Sequence, residues 1–190
     1  SKDDRRGFEN FIGATLGVMG NLRRKENDSV SSFDQYAQLE WQGERWTFTG
    51  GLRHSQLRFK VKDEYLSNGD DSGNVSYEKT TPMGAVMYRL SDGVNLYASA
   101  ARGFETPTFN EISYRPGGLP GLNFDLQPAK STSVELGLRQ RIASEALRGQ
   151  WSAALFHTST QDEIVTATNT GGRSTFRNAG RMRRQGDRKS

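Results

Sequence analysis

Residues 132–142 read TSVELGLRQRI and alternate in character with a period of two. Apolar side chains occupy even positions, at Val134, Leu136, Leu138 and Ile142. The odd positions carry no large apolar side chain and include Glu135, Arg139 and Arg141. Such alternation is typical of a β-strand with one apolar and one wet face. The stretch therefore predicts an amphipathic strand.

The same alternation recurs along the chain and predicts an all-β protein, an antiparallel up-and-down meander of about seven or eight strands. The other predicted strands lie at 8–18 (the weakest), 33–42, 45–61, 82–90, 94–102 and 147–157. Within 45–61 the apolar phase shifts by one residue after His54, to Leu57, Phe59 and Val61. Because a one-residue slip reverses the faces, we expect either a bulge there or the exit of the strand from its buried environment.

Composition excludes several classes of protein. The 190 residues suffice for one domain and contain no cysteine, so disulfide scaffolds, thiolate metal sites and cysteine nucleophiles are excluded. A net charge of +4 is too close to neutral to indicate nucleic-acid binding. The longest uncharged apolar stretch, Phe11–Gly20, is too short for a membrane-spanning helix. The opening SKDDRR is not a secretory signal, so we expect a processed precursor or a piece of a longer protein.

The predicted connections differ in length in a regular order. They are short at 43–44, 91–93 and 143–146, and long at 63–75, 103–130 and 167–173. Alternate connections of a meander lie at the same end of the sheet, and short turns opposite long loops are typical of an outer-membrane β-barrel.

Trp41, Trp46, Tyr88 and Tyr97 suit an aromatic girdle at the membrane interface. The alternative is that aromatic residues simply favour strands.

Four motifs in order carry a family resemblance. Residues 96–112, LYASAARGFETPTFNEI, resemble TonB-dependent outer-membrane receptors, in which Tyr-x-Ser-x-x-x-Gly-Phe is followed by x-x-Pro and Glu-Ile or Glu-Leu. Residues 123–131, NFDLQPAKS, and the following ELG are similar to the next block of that family. ALF at 154–156 with DEIV at 162–165, and FRNAG at 176–180 with a later Gly186, are similar to two more. The residues in these motifs that we expect to be structural are Gly103, Phe104, Pro107, Glu111, Leu126, Pro128, Ser131, Glu135, Gly137 and Asn178.

The resemblance implies that residues 1–186 are part of a 22-stranded transmembrane barrel in the outer membrane of a Gram-negative bacterium, with 187–190 a tail of doubtful match. Such receptors bind a scarce ligand, usually a ferric siderophore, outside the cell and import it with energy from the TonB complex. Outer-membrane lipid and the siderophore are the implied partners; TonB would contact parts absent from this chain, such as the plug and TonB box. No nucleic acid, directly bound cofactor or activity of the isolated chain is expected, and a truncated or frameshifted reading frame remains open.

The implied ligand-binding residues are Arg102, Tyr114 and Arg115, because ferric siderophores are often anionic and attract arginine and aromatic side chains. The alternative is that the surrounding motif only fixes loop geometry. Glu135, Arg139 and Arg141 are expected to pair with neighbours in a hydrated interior. His54 and His157 are isolated, so no metal site is expected, and no catalytic residues are predicted.

Two other classes of protein stay open at this point. A soluble secreted β-rich binding module would fold alone and expose no apolar band, whereas a barrel fragment would aggregate through its open edges. A hydrolase would need two loop carboxylates within catalytic reach of each other.

Overall fold

The computed structural model describes residues 1–9, 17–118, 121–143, 148–170 and 173–189. These ranges contain ten strands, one short helix and a 3₁₀ turn at Pro116–Gly118. The elements are β1 (Lys2–Phe8), β2 (Leu22–Gln42), β3 (Trp46–Asp63), β4 (Gly73–Ser91), β5 (Val94–Glu105), α1 (Phe109–Ile112), β6 (Ala129–Ala143), β7 (Arg148–Gln161), β8 (Ile164–Thr170), β9 (Arg173–Asn178) and β10 (Arg181–Lys189). No helix within these ranges is long and apolar enough to span a bilayer.

Eight strands form one sheet in the order β1-β2-β3-β4-β5-β6-β7-β10, and every neighbouring pair is antiparallel. In the part of the chain that the structure describes, no pairing joins β1 to β10, so both strands are edges of an open sheet. The predicted antiparallel meander is confirmed.

Two local predictions were wrong. Residues 17 and 18, the described end of the strand predicted at 8–18, are not in a strand, and Gly17 has a left-handed φ of 79° that extended backbone does not adopt. Residues 10–16 of that prediction lie outside the described ranges. The connection predicted at 167–173 falls inside a hairpin of β8 and β9, which forms a separate two-stranded sheet. In the chain, this hairpin lies between β7 and β10.

The connections sort by length between the two ends of the sheet. The turns at 43–45 and 92–93 join strands at one end, which we call the turn rim, and β6 ends and β7 begins at the same end. At the opposite end, the loop rim, the longer connections leave the sheet after residues 8, 63, 105 and 161 and return to it at residues 22, 73, 129 and 181. This arrangement agrees with the predicted order of short and long connections.

The outer face of the sheet is an apolar band that is open to its surroundings. One cross-strand row joins Phe48, Val86, Ala98, Leu136 and Leu155. Leu136 is 59% and Leu155 is 64% exposed. Large side chains at this exposure need a nonaqueous environment, which lipid provides on the outside of a transmembrane barrel.

The last strand departs from this band. Asp187 of β10 pairs with Leu155, and Lys189 pairs with Ala153. Charged side chains therefore continue rows that are apolar on the preceding strands. Every outward position of β10, from Arg181 to Lys189, carries a polar or charged side chain, so the whole strand lacks the outward pattern of a lipid-facing strand.

The phase shift in β3 has a simple cause. Pairing with β2 and β4 runs without a register shift through His54, so there is no bulge. Phe59 and Val61, on the inner face, are 3% and 2% exposed. The strand has left the apolar band, so its outer face becomes polar while its inner face is covered. The second of the two expected alternatives is confirmed.

Aromatic side chains gather on the outer face at the turn rim. Ring centroids are 5.7 Å apart for Trp41 and Phe48, and 4.6 Å apart for Trp46 and Tyr88. This placement suits an interfacial girdle. Tyr97 was wrongly included, because its hydroxyl donates to Glu135 on the inner face at 2.7 Å.

The dry core is small and lies inside the loop rim. Phe59, Tyr77, Ile112 and Leu126 form its buried cluster, and the Tyr77 hydroxyl donates to the Leu126 carbonyl at 2.8 Å. Side chains from the β8–β9 hairpin pack against the cluster. We call residues 106–128 together with this hairpin the loop cap.

Candidate ligand-binding rim

Asn178 joins the two halves of the loop cap. Its side-chain amide donates to the carbonyls of Gln127 at 2.8 Å and Asp162 at 2.7 Å, and its oxygen accepts the Gln127 N–H at 2.8 Å. Asn123 adds a hydrogen bond to the Phe176 carbonyl at 3.1 Å. These side-chain amides supply hydrogen-bond partners for backbone groups of the cap that lie outside regular secondary structure.

The motif residues of the long loop shape its first turn. The backbone N–H and the hydroxyl of Thr108 donate to the Glu111 carboxylate at 2.7 and 2.9 Å, which caps α1. Pro107 is fully buried, and Phe104 packs against the buried cluster. Leu126 and Pro128, at the end of the loop, are also buried. All of these side chains hold the cap in place.

The motif residues of β6 lie on the inner face of the sheet. A side chain at Gly103 would collide with the Ser131 hydroxyl, and one at Gly137 would collide with the Tyr97 ring. Glu135 accepts from Tyr97 and forms an ion pair with Arg188 at 2.9 Å. The Arg139 guanidinium lies 4.7 Å from the centre of the Tyr97 ring. The interior charges at these positions therefore have neighbouring partners.

The three expected ligand residues do not come together. Tyr114 has two guanidiniums over its ring, with Arg24 at 5.1 Å and Arg173 at 5.4 Å from its ring centre. Arg115 reaches Asp125 at 3.8 Å. Arg102 has the strand parity of Ala98 and Ala100, which places it on the outer face, away from Tyr114.

Sequence reasoning missed Arg24 and Arg173. Both are far from Tyr114 along the chain, and only the folding of the loop cap onto β2 brings them to its ring. No local motif marks either arginine.

A buried acidic pair lies beneath the loop cap. Glu26 and Asp28 of β2 are 5% and 4% exposed. Arg5 approaches both carboxylates, at 3.6 and 3.7 Å, and Arg24 approaches Glu26 at 3.6 Å. The same two arginines donate to Ser113 of the cap, Arg5 to its hydroxyl at 3.3 Å and Arg24 to its carbonyl at 3.0 Å. Arg5 of β1 and Arg24 of β2 therefore attach the cap to the sheet, and the buried carboxylates lie against both arginines.

Burial raises the pKa of Asp28 to about 6, and the neighbouring Glu26 charge adds to this, while Arg5 opposes it. Burial also raises the pKa of Glu26, although the charges of Arg24 and Arg5 act to lower it. Within the described residues, neither Asp28 oxygen has a hydrogen-bond donor. Both groups lie on the part of β2 that pairs with the polar end of β3, outside the apolar band.

Asp28→Asn is expected to tighten the attachment of the cap at pH 7 by on the order of 1–3 kcal/mol, because it removes a poorly solvated charge. A raised carboxyl pKa means that the native protein binds the proton more tightly, so wild-type stability is greatest at low pH and falls as pH rises through about 6. Hydrogen exchange of residues 106–128, corrected for intrinsic rates, should show protection that decreases from pH 5 to pH 7.

The Asp28→Asn variant should lose most of this pH dependence. Asp125→Asn is the matched control, because the Asp125 side chain is 88% exposed. An unchanged pH slope in Asp28→Asn, or an equal change in the control, would show that the buried Asp28 charge does not weaken the attachment of the cap.

An antiparallel sheet with an apolar outer face, a polar inner face and its long loops at one rim defines a wall segment of an outer-membrane β-barrel. The family model described as "TonB dependent receptor-like, beta-barrel" matches residues 3–186. The chain belongs to this family of TonB-dependent receptors, as part of the barrel domain. Barrels of this family lie in the outer membrane of Gram-negative bacteria, and so does this one.

Solved structures show the same fold. The hemophore receptor HasR of Serratia marcescens is 19% identical, with a TM-score of 0.66 over 86% of this chain and 31% of its own. The ferric-catecholate import receptor Fiu of E. coli K12 is 19% identical, with a TM-score of 0.64 over 88% of this chain and 26% of its own. The ferric yersiniabactin uptake receptor FyuA of Yersinia pestis is 22% identical, with a TM-score of 0.62 over 91% and 26%. The chain thus spans less than a third of the length of each.

Proposed function

We propose that this chain is part of a receptor that takes up a ferric siderophore by the TonB-dependent route, and that its loop cap contributes to the ligand-binding mouth. The siderophore is the cargo, and the chain itself holds no catalytic group or resident cofactor in this proposal. Contact with the TonB complex is assigned to regions outside this chain. Import of ferric ligands by two of the structural neighbours supports the proposal.

The observation that carries the proposal is the contact of the Tyr114 ring with both Arg24 and Arg173 at the loop rim. The Arg173 guanidinium, the Tyr114 hydroxyl and the N–H groups that Arg24 does not use toward Ser113 and Glu26 form a set of donors suited to an anionic chelate with aromatic or carboxylate groups. Arg115 extends this set, since its ion pair with exposed Asp125 is long. Arg102 lies on the outer face and is left out of the proposed ligand site.

The rival classes have less support. A soluble binding module would have to expose the apolar band to water, which strongly favours association or precipitation. For a hydrolase, the carboxylates in and beside the loop cap already have partners. Glu111 accepts from Thr108, Asp125 lies 3.8 Å from Arg115, and Glu163 pairs with Arg184 at 2.5 Å. Neither arrangement is a pair of carboxylates facing a common substrate.

Arg173→Gln in the intact receptor is expected to weaken binding of its ferric siderophore about tenfold, because one charge-assisted contact is lost. Binding is measured by fluorescence quenching with a panel of ferric catecholates, hydroxamates and mixed chelates, and with heme. Barrel assembly should be unchanged.

Arg177→Gln is the matched control, because it removes the same charge from an exposed position of the same hairpin. Siderophore affinity that is unchanged in Arg173→Gln, or reduced equally in both variants, would refute the proposed ligand site. Binding of heme alone would refute the siderophore as the ligand.

A further inference from the structure

Arg58, Lys60 and Lys62 form a row of cations on the outer face of β3, which we call the basic ladder. All three are exposed, and they alternate with inner-face residues that include the buried Phe59 and Val61. Because those inner positions fill the core under the loop cap, the ladder side chains are directed away from the barrel.

The ladder has polar but uncharged neighbours. Its partners across β2 and β4 are Ser31, Ser29, Asn27, Ser76 and Asn74. Among the described residues, no carboxylate oxygen lies within 4.0 Å of the charged group of Arg58, Lys60 or Lys62, so none of the three forms an ion pair. Glu64, which the Lys62 charge influences, is already bound by Lys25 at 2.9 Å and Asn27 at 2.9 Å. Glu78, one row nearer the membrane, accepts from Gln56 at 3.4 Å.

The ladder begins where the apolar band ends. Phe33, on the outer face of β2, is 57% exposed and pairs with Gln56. In the next row of the outer face toward the loop rim, Ser31 pairs with Arg58. Two residues along a strand correspond to about 7 Å. The cations therefore start directly above the apolar surface, at the loop rim, where the extracellular leaflet presents its headgroups.

We propose that the basic ladder binds phosphate groups of anionic lipid in the outer leaflet. The arginine fork and two lysines supply charge-assisted donors for phosphate, and the flanking serine and asparagine side chains supply further hydrogen bonds. A membrane surface is favoured over a soluble acidic protein because the row is continuous with the lipid-facing band. The contact would fix the height of this wall segment in the bilayer.

The test compares the intact wild-type receptor with the triple variant Arg58→Gln/Lys60→Gln/Lys62→Gln, both purified in detergent. Affinity for fluorescent bisphosphorylated lipid A is measured by titration. Each lost cation should weaken binding about fivefold, so the triple variant should bind roughly one hundredfold more weakly. Lipid A without phosphates should bind wild type and variant equally weakly.

The control variant Arg139→Gln/Arg141→Gln/Arg148→Gln removes the same charge from the turn-rim half of the sheet and should bind lipid A as the wild type does. Equal affinity of the ladder variant and wild type for bisphosphorylated lipid A would overturn the proposal. So would an equal loss in the control, or displacement of lipid A by an equimolar concentration of inorganic phosphate. Siderophore binding should be unaffected, so this result is independent of the proposed function.

Discussion

Leu136→Arg is expected to destabilise the assembled barrel by about 2–4 kcal/mol, because it places a charge near the bilayer midplane. The uninterrupted outward apolar run of β6 is Val134, Leu136 and Leu138, bounded by Thr132 and Gln140, so Leu136 is its centre. The measurement is urea-dependent unfolding of the intact receptor in lipid vesicles. Leu138→Arg, two residues nearer the turn rim, should have a smaller effect.

Arg139→Leu is the control on the opposite face. Arg139 lies inside and contacts the Tyr97 ring, so its replacement should cost less than about 1 kcal/mol. Similar losses for Leu136→Arg and Arg139→Leu would contradict the assignment of the two faces.

Leu126→Ala is expected to cost about 2–5 kcal/mol in the packing of the loop cap. Leu126 is 2% exposed and packs with Ile112 and Phe59. Because the cap lies above the apolar band, the barrel should still assemble while residues 106–128 become sensitive to protease and siderophore binding falls. Limited proteolysis of intact cells measures this opening.

Leu66→Ala serves as the control, since Leu66 is on another long connection of the loop rim and is 63% exposed. It should leave cleavage unchanged. Leu126→Ala without increased cleavage would show that the buried cluster does not hold the cap closed.

The sheet could be predicted because its rules are local. Alternation in residues 132–142 reports the two faces of β6 directly, and connection lengths report the two rims. The inward position of Tyr97 was also readable, since it shares its side of the strand with Asn95 and Ser99 rather than with Leu96.

The loop cap could not be predicted, because its contacts join distant segments. The short alternations around Ile164 and Phe176 look like barrel strands, yet they pair with each other, and β10 returns to β7. Asp28 looks like a solvated strand residue until the cap covers it. The pairing of Tyr114 with Arg173 depends on the same packing.

The most direct test of the wall-segment assignment is cysteine scanning of residues 132–142 in the intact receptor in membranes. The chain itself has no cysteine, so each introduced thiol in it is unique. Spin labels at 134, 136 and 138 should collide with oxygen dissolved in lipid, and those at 133, 135 and 139 with a water-soluble relaxation agent. Labels shielded from both agents on both faces, or the loss of the two-residue period, would contradict the assignment.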